Sequence, residues 1–325
     1  MRRWDARAIW FVSPTVTLFL SIACAPPPPP PPGDIYQVLA TVVMHPEVDC
    51  VELRKWYGLD YLELVDTPAG IGQRYEEHFI PSVGGNKLRY WYLPSELDRG
   101  VIVLAHGAAG ALPCYLYTAR LLLDNGWSVA MFEFQGFGQS EGSPSFATLI
   151  PDLEAAIEKT RRLTSRQRVT LIGLSMGTIP AVALAANRPD AVNAIILDSP
   201  VALAAEFERA ASWLKDTSPY LNELDPDLIS ENVVGRVHLP LLMFENGRDV
   251  ITPPQTVEEL WVRANDPKTR CTFPELPHAR GAYYGTQLYT YCFETFLDGV
   301  WRNEIIAYPR LSPGYFDNSD STPQN

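Results

Sequence analysis

Five short, mostly apolar runs constrain this chain more than any other feature. They occupy residues 101–105, 128–134, 169–174, 191–197 and 238–244. Runs of this kind read as strands buried on both faces. Segments of helical periodicity separate or follow them: 115–125, ended by Gly126, then 146–161, 176–186, 254–262 and 283–296. Leu153, Ala156 and Ile157 share one face of the second, and Leu288, Cys292 and Phe296 stand four apart in the last. Strands alternating with helices predict an α/β fold, a mostly parallel sheet covered by helices on both sides.

Other segments extend the pattern. Residues 61–66, 74–80 and 87–92 are strand-like, and the last two alternate enough to predict an antiparallel start to the sheet. Residues 272–273 add a short final strand, and 34–58 read as helical or irregular cover. Between 198 and 237 there are short helical pieces and no strand. This excursion predicts a small cap or crossover, with Phe207, Ala211 and Leu214 near one face and Trp213 beside them. One domain over 34–307 accommodates all of these, followed by a loose polar tail at 308–325.

The first residues have a different layout. Arg2, Arg3 and Arg7 precede an uncharged stretch whose apolar part ends near Ala25, with small residues around Cys24. That is the form of an export signal over 1–25. Ile22-Ala23-Cys24 resembles the end of a bacterial lipoprotein signal, so lipidation at Cys24 is expected; a signal-anchored or secreted form is the alternative. Pro26 to Pro32 then form a stiff linker over 26–33, suited to holding a domain off a membrane.

The chain has 38 acidic and 26 basic residues, a formal charge of −12. No basic cluster interleaves with aromatics, which argues against a nucleic-acid partner. Five cysteines lack metal-site spacing. Cys114, Cys271 and Cys292 read as buried free thiols, with a disulfide through Cys50 left open.

Polar residues at the carboxyl ends of parallel strands are where ligands bind in such sheets. Gly173-Leu174-Ser175-Met176-Gly177 follows a strand and opens a helix. The two glycines allow a sharp turn that would expose the Ser175 hydroxyl as a nucleophile. His106-Gly107-Ala108-Ala109-Gly110 follows the 101–105 strand, and its small residues suit exposed amides. The Ala108 and Met176 N–H groups are the candidate oxyanion donors. His106 sits in the wrong loop to be the base and is expected to brace the turn. Asp249 lies on the loop after the 238–244 strand, with Glu245 and Asp198 as competing acids. His278 follows the last strand, completing the order serine, acid, histidine.

HGAAG at 106–110, FQGFGQSEGSP at 134–144, GLSMG at 173–177, GRDVITPP at 247–254 and His278 together resemble the α/β-hydrolase superfamily. The likeness is to its serine-hydrolase type, including monoacylglycerol-lipase-like and depalmitoylase-like members, and it spans roughly residues 60–300. The resemblance implies a three-layer sheet and a Ser175–Asp249–His278 triad, with oxyanion amides at Ala108 and Met176 and no cofactor or metal. Leu174 and Met176 beside the serine favour an uncharged acyl substrate, and a carboxylic ester leads. A thioester, an amide or peptide bond, and a non-catalytic binding role are the alternatives.

Overall fold

A computed structural model describes residues 40, 43–59, 62–97, 99–164, 168–211 and 222–302. The signal (1–25), the proline linker (26–33), the tail (308–325), Trp213 and Leu214 lie outside the described residues.

The described residues build an eight-stranded sheet. Its strands are β1 (Glu76–Pro81), β2 (Lys87–Leu93), β3 (Val101–Ala105), β4 (Ser128–Phe132), β5 (Val169–Leu174), β6 (Ala194–Asp198), β7 (Leu241–Asn246) and β8 (Lys268–Phe273). They lie in the order β1-β2-β4-β3-β5-β6-β7-β8. β2 runs antiparallel to both β1 and β4, and every later pairing is parallel.

The alternation of side chains along each strand divides the core in two. Val101, Val103 and Ala105 of β3 pack on one side, with α3 (Leu149–Thr164) and α4 (Thr178–Asn187). Ile102 and Leu104 pack on the other, against α2 (Leu116–Asp124) and α9 (Thr286–Arg302). Apolar residues in sequence thus become apolar on both faces, as a parallel sheet between two helix layers requires. The α/β three-layer architecture with an antiparallel start is the expected one. β3 lies between β4 and β5, so the lateral order reverses beside it. The crevice at this reversal is where sheets of this kind bind ligands.

Further helices among the described residues are α1 (Cys50–Tyr57), α5 (Leu203–Ala211), α6 (Ser230–Val233), α7 (Pro254–Arg263) and α8 (Gly281–Tyr284). The 198–237 excursion contributes α5, α6 and two 3-10 turns, with no strand among its described residues.

Several local expectations fail for identifiable reasons. Residues 62–66 are irregular; Val65 is covered by Gly70 and the second core layer, and no ladder holds it. β7 starts at Leu241 because Pro240 has no N–H to donate; its carbonyl accepts from Ile195 N–H at 3.0 Å. β6 starts at Ala194, because the Asn193 side chain accepts from Val169 N–H at 2.9 Å in place of a ladder bond. β8 is longer than two residues because Arg270 lies inside it, fully buried and paired with Glu245 and Glu258. The final helix is two, α8 and α9, separated at Gly285.

The free-thiol reading of three cysteines is also corrected. Cys271 of β8 is bonded to Cys292 of α9, and Cys50 of α1 is bonded to Cys114. The Cα atoms are 6.4 and 4.9 Å apart respectively, within the range a disulfide needs. Separations of 21 and 64 residues hide this adjacency from local pattern reading.

Candidate active site

The turn after β5 is made by backbone crowding. A Cβ on Gly173 would stand 2.6 Å from Gly177 O, and one on Gly177 would stand 2.3 Å from Ala105 O. Both positions therefore exclude a side chain. Ser175 between them has φ 51°, a left-handed conformation that costs a non-glycine residue roughly 1–3 kcal/mol. The Thr178 hydroxyl donates to Ser175 O at 2.6 Å and helps hold this conformation.

The same crowding sets the turn against the loop after β3. A Cβ on Gly107 would lie 3.6 Å from Ser175 Cβ. Gly107 and Ser175 are thus neighbours, and Met176, next to the serine in the chain, is buried. His106 is buried, and its Nε2 accepts from Phe134 N–H at 3.1 Å. Its proton is therefore on Nδ1, which donates to Gly107 O at 2.7 Å. Burial lowers its pKa to about 4, so the ring is neutral near pH 7. Phe134 and Phe137, from the 134–144 loop, each meet its ring edge to face at 4.9 Å.

His278 links Ser175 to Asp249. Its Nε2 lies 2.9 Å from Ser175 Oγ, and its Nδ1 lies 2.7 Å from Asp249 Oδ2. An ionised carboxylate only accepts, so Nδ1 carries the proton and Nε2 presents its lone pair to the serine hydroxyl. Asp249 is held by further donors: Ile251 N–H and Thr252 N–H to Oδ1, and the Thr252 hydroxyl to Oδ2, all at 2.8 Å. Asp249 and His278 are both buried. Their two loops run together, with Gly247 N–H donating to Phe273 O at 2.8 Å and Arg248 N–H to Leu276 O at 3.0 Å. From the excursion, Arg209 donates to the carbonyls of Val250 and Ile251 at 3.1 and 2.7 Å, fixing the acid loop from outside.

The competing acids are placed elsewhere. Glu245 is buried against Arg270. Asp198, fully buried at the end of β6, accepts from the Ser199 hydroxyl at 3.3 Å. Of the two arginines near the triad in sequence, Arg248 pairs with Glu275 on the surface. Arg280 is buried and donates to His278 O at 3.1 Å and Trp56 O at 3.0 Å. Among the described residues no group of three or more His, Cys, Asp or Glu is arranged to hold a metal.

Sequence reading missed three contributors: Thr252, Ser199 and Glu133. Ser199 Oγ accepts from Ala279 N–H at 3.0 Å and from Asn246 Nδ2–H at 2.8 Å, tying β6 and β7 to the histidine loop. Ser175, Ser199 and Ala279 are the non-glycine residues with positive φ among the described residues, and all three border the site. Glu133 is fully buried and accepts from Leu112 N–H at 3.0 Å and Gln139 N–H at 2.7 Å, linking the turn that follows the 106–110 loop to the 134–144 loop. A buried acid just beyond β4 was the available signal.

The sequence model of a serine aminopeptidase family, S33, matches residues 97–233. The uncharacterized protein YfhR of Escherichia coli O157:H7 is 33% identical over 231 residues, covering 69% of this chain and 76% of that protein. WAV2 of Arabidopsis thaliana, an α/β-hydrolase domain-containing protein, is 26% identical over 226 residues, covering 65% and 73%. A Pyrococcus furiosus esterase superposes with a TM-score of 0.61 at 19% identity, over 73% of this chain and 95% of that one; it shares the fold.

Asp198 supplies a pH test. Burial raises its pKa from 3.8 to about 6, against an opposing pull from His278. Between these values the unfolded chain has released a proton that the folded protein still holds. This residue's contribution therefore turns against folding as pH rises through that window, then levels off above about 6. Asp198→Asn is expected to be more stable than wild type at pH 7, by up to about 3 kcal/mol, with the advantage gone at pH 4. Urea midpoints of both proteins at the two pH values check this, and a constant difference would contradict it.

Proposed function

Since the chain belongs to the α/β-hydrolase superfamily, we propose that it is a serine hydrolase that cleaves carboxylic esters of uncharged or apolar acyl groups. The observation carrying this reading is the continuous Ser175–His278–Asp249 chain of contacts, at 2.9 and 2.7 Å. Ser175 Oγ attacks the ester carbonyl carbon while His278 Nε2 takes its proton. The carbonyl electron pair moves to oxygen, which the Ala108 and Met176 amides face in this reading. Asp249 stabilises the imidazolium and keeps the ring oriented. The tetrahedral species then expels the alcohol, which receives the proton from His278. Water repeats the sequence on the acyl-enzyme and releases the acid.

Leu174 and Met176 flank the nucleophile, and the nearby guanidinium of Arg280 is committed to backbone carbonyls, which supports an uncharged acyl group. An amide substrate is the second reading, favoured by the aminopeptidase family match over 97–233. The same residues serve it if His278 protonates the departing amine.

We further propose that the protein is exported and tethered through its N-terminus, with diacylglyceryl-Cys24 as the mature first residue. Two disulfides support an oxidising compartment. The mass of the mature N-terminal peptide tests this, and an intact, unmodified start would refute it.

Hydrolysis of p-nitrophenyl butyrate, its matched thioester and its matched anilide tests the activity. The ester is expected to give the highest kcat/KM. Ser175→Ala and His278→Ala are each expected to lower kcat by about 10³-fold or more. A preference for the anilide would move the assignment to an amidase, and folded protein inert to all three would remove it.

A further inference from the structure

Residues 43–59 are fastened to two of the loops that form the site. On the first side His45 N–H donates to Ala108 O at 2.7 Å, and His45 forms a parallel bridge with Ala109. Cys50 is bonded to Cys114, just beyond the 106–110 loop. Leu53 closes on that loop too: a Cβ on Gly110 would stand 2.9 Å from Leu53 Cδ2. On the second side Arg280 donates to Trp56 O at 3.0 Å, with its guanidinium 3.8 Å above the Tyr57 ring. The Tyr284 hydroxyl donates to Gly58 O. One set of contacts holds the loop of Ala108, and the other holds the loop of His278.

α1 alone does not explain its position. It has 8 residues, capped by Asp49, which accepts from Glu52 N–H at 2.8 Å, and ended by Gly58 at φ 65°. A helix that short is marginal in water, so its tethers place it. Beneath it, Leu53 and Tyr57 meet Tyr115, Leu174, Ala279 and Tyr283 around a cavity of about 10 Å³. That is room for about one water molecule. Leu174 and Ala279 are the chain neighbours of Ser175 and His278, and a Cβ on Gly107 would stand 3.4 Å from the Tyr115 hydroxyl and 3.6 Å from Ser175 Cβ, so this cavity lies beside the turn that carries the nucleophile.

We propose that α1 is the specificity element of the site, limiting the acyl group carried on Ser175 to a short one, and that the Cys50–Cys114 bond enforces the limit. The inference rests on the reading of Ser175 as an acyl-accepting nucleophile. A longer chain entering this cavity must displace Leu53 or Tyr57, and the disulfide and His45 oppose that displacement. The excursion at 198–237 is tied to the acid loop through Arg209.

The test compares kcat/KM for p-nitrophenyl acetate and octanoate. Wild type is expected to favour acetate. Leu53→Ala, which keeps the disulfide, is expected to raise the octanoate-to-acetate ratio about tenfold or more. The double variant Cys50→Ser/Cys114→Ser, with Cys271–Cys292 intact, should move it in the same direction. If the double variant does not fold, Leu53→Ala decides alone. A wild type that prefers octanoate overturns the proposal, as does an unchanged ratio in Leu53→Ala with acetate turnover retained. Folded wild type inert to both esters refutes the Ser175 reading, and this proposal falls with it.

Discussion

The contact between Gly177 and the end of β3 governs the site. A side chain at Gly177 would collide with Ala105 O, so the turn after β5 can approach β3 only as bare backbone. Gly173 meets the same turn from the other side. With both approaches made, Ser175 is forced to φ 51° and its neighbours are decided: Gly107 on one side and His278 on the other. The parallel register of β3 and β5, which pairs Ala105 with Gly173, brings these two loops to the same height. Sheet geometry thus determines which backbone lies beside the serine.

The remaining loops are fixed by hydrogen bonds, with few ion pairs directly on the triad. Asp249 meets donors from Ile251 and Thr252 in its own loop and from His278, 29 residues on. Ser199 accepts from Asn246 and Ala279, and so couples three strand ends. Backbone strain at Ser175, Ser199 and Ala279 collects where these loops meet. Such strain persists only where surroundings over-determine it, and here the surroundings are strand ends and buried hydroxyls. Beyond this ring, α1 and the residues before it join the Ala108 loop to the His278 loop.

Much of this was legible in the sequence wherever a residue's environment repeats along the chain. β3 and β5 are apolar on both faces, so their burial is written in consecutive residues. The glycines of the β5 turn stand beside the serine they serve. Legibility ended where the partner is remote. Arg270 cut the expected β8 to residues 272–273, because its neutralising Glu245 and Glu258 come from β7 and α7. Cys271 and Cys292 looked like separate thiols because a strand and a helix from different layers bring them together. Thr252, three residues after Asp249, carried no pattern of its own; only the folded loop turns its hydroxyl to the carboxylate. The helix at 50–57 was foreseen as cover of some kind, but its place over the site depends on Cys114 and Arg280.

The central claim is that Ser175 is made nucleophilic by His278, with Asp249 behind it. Reaction of the folded protein with a fluorophosphonate, followed by peptide mapping of the modified residue, tests this most directly. The account predicts a single covalent adduct on Ser175, formed at least about tenfold more slowly when Asp249 is replaced by Asn. An adduct on another residue, or none on folded protein, would contradict it.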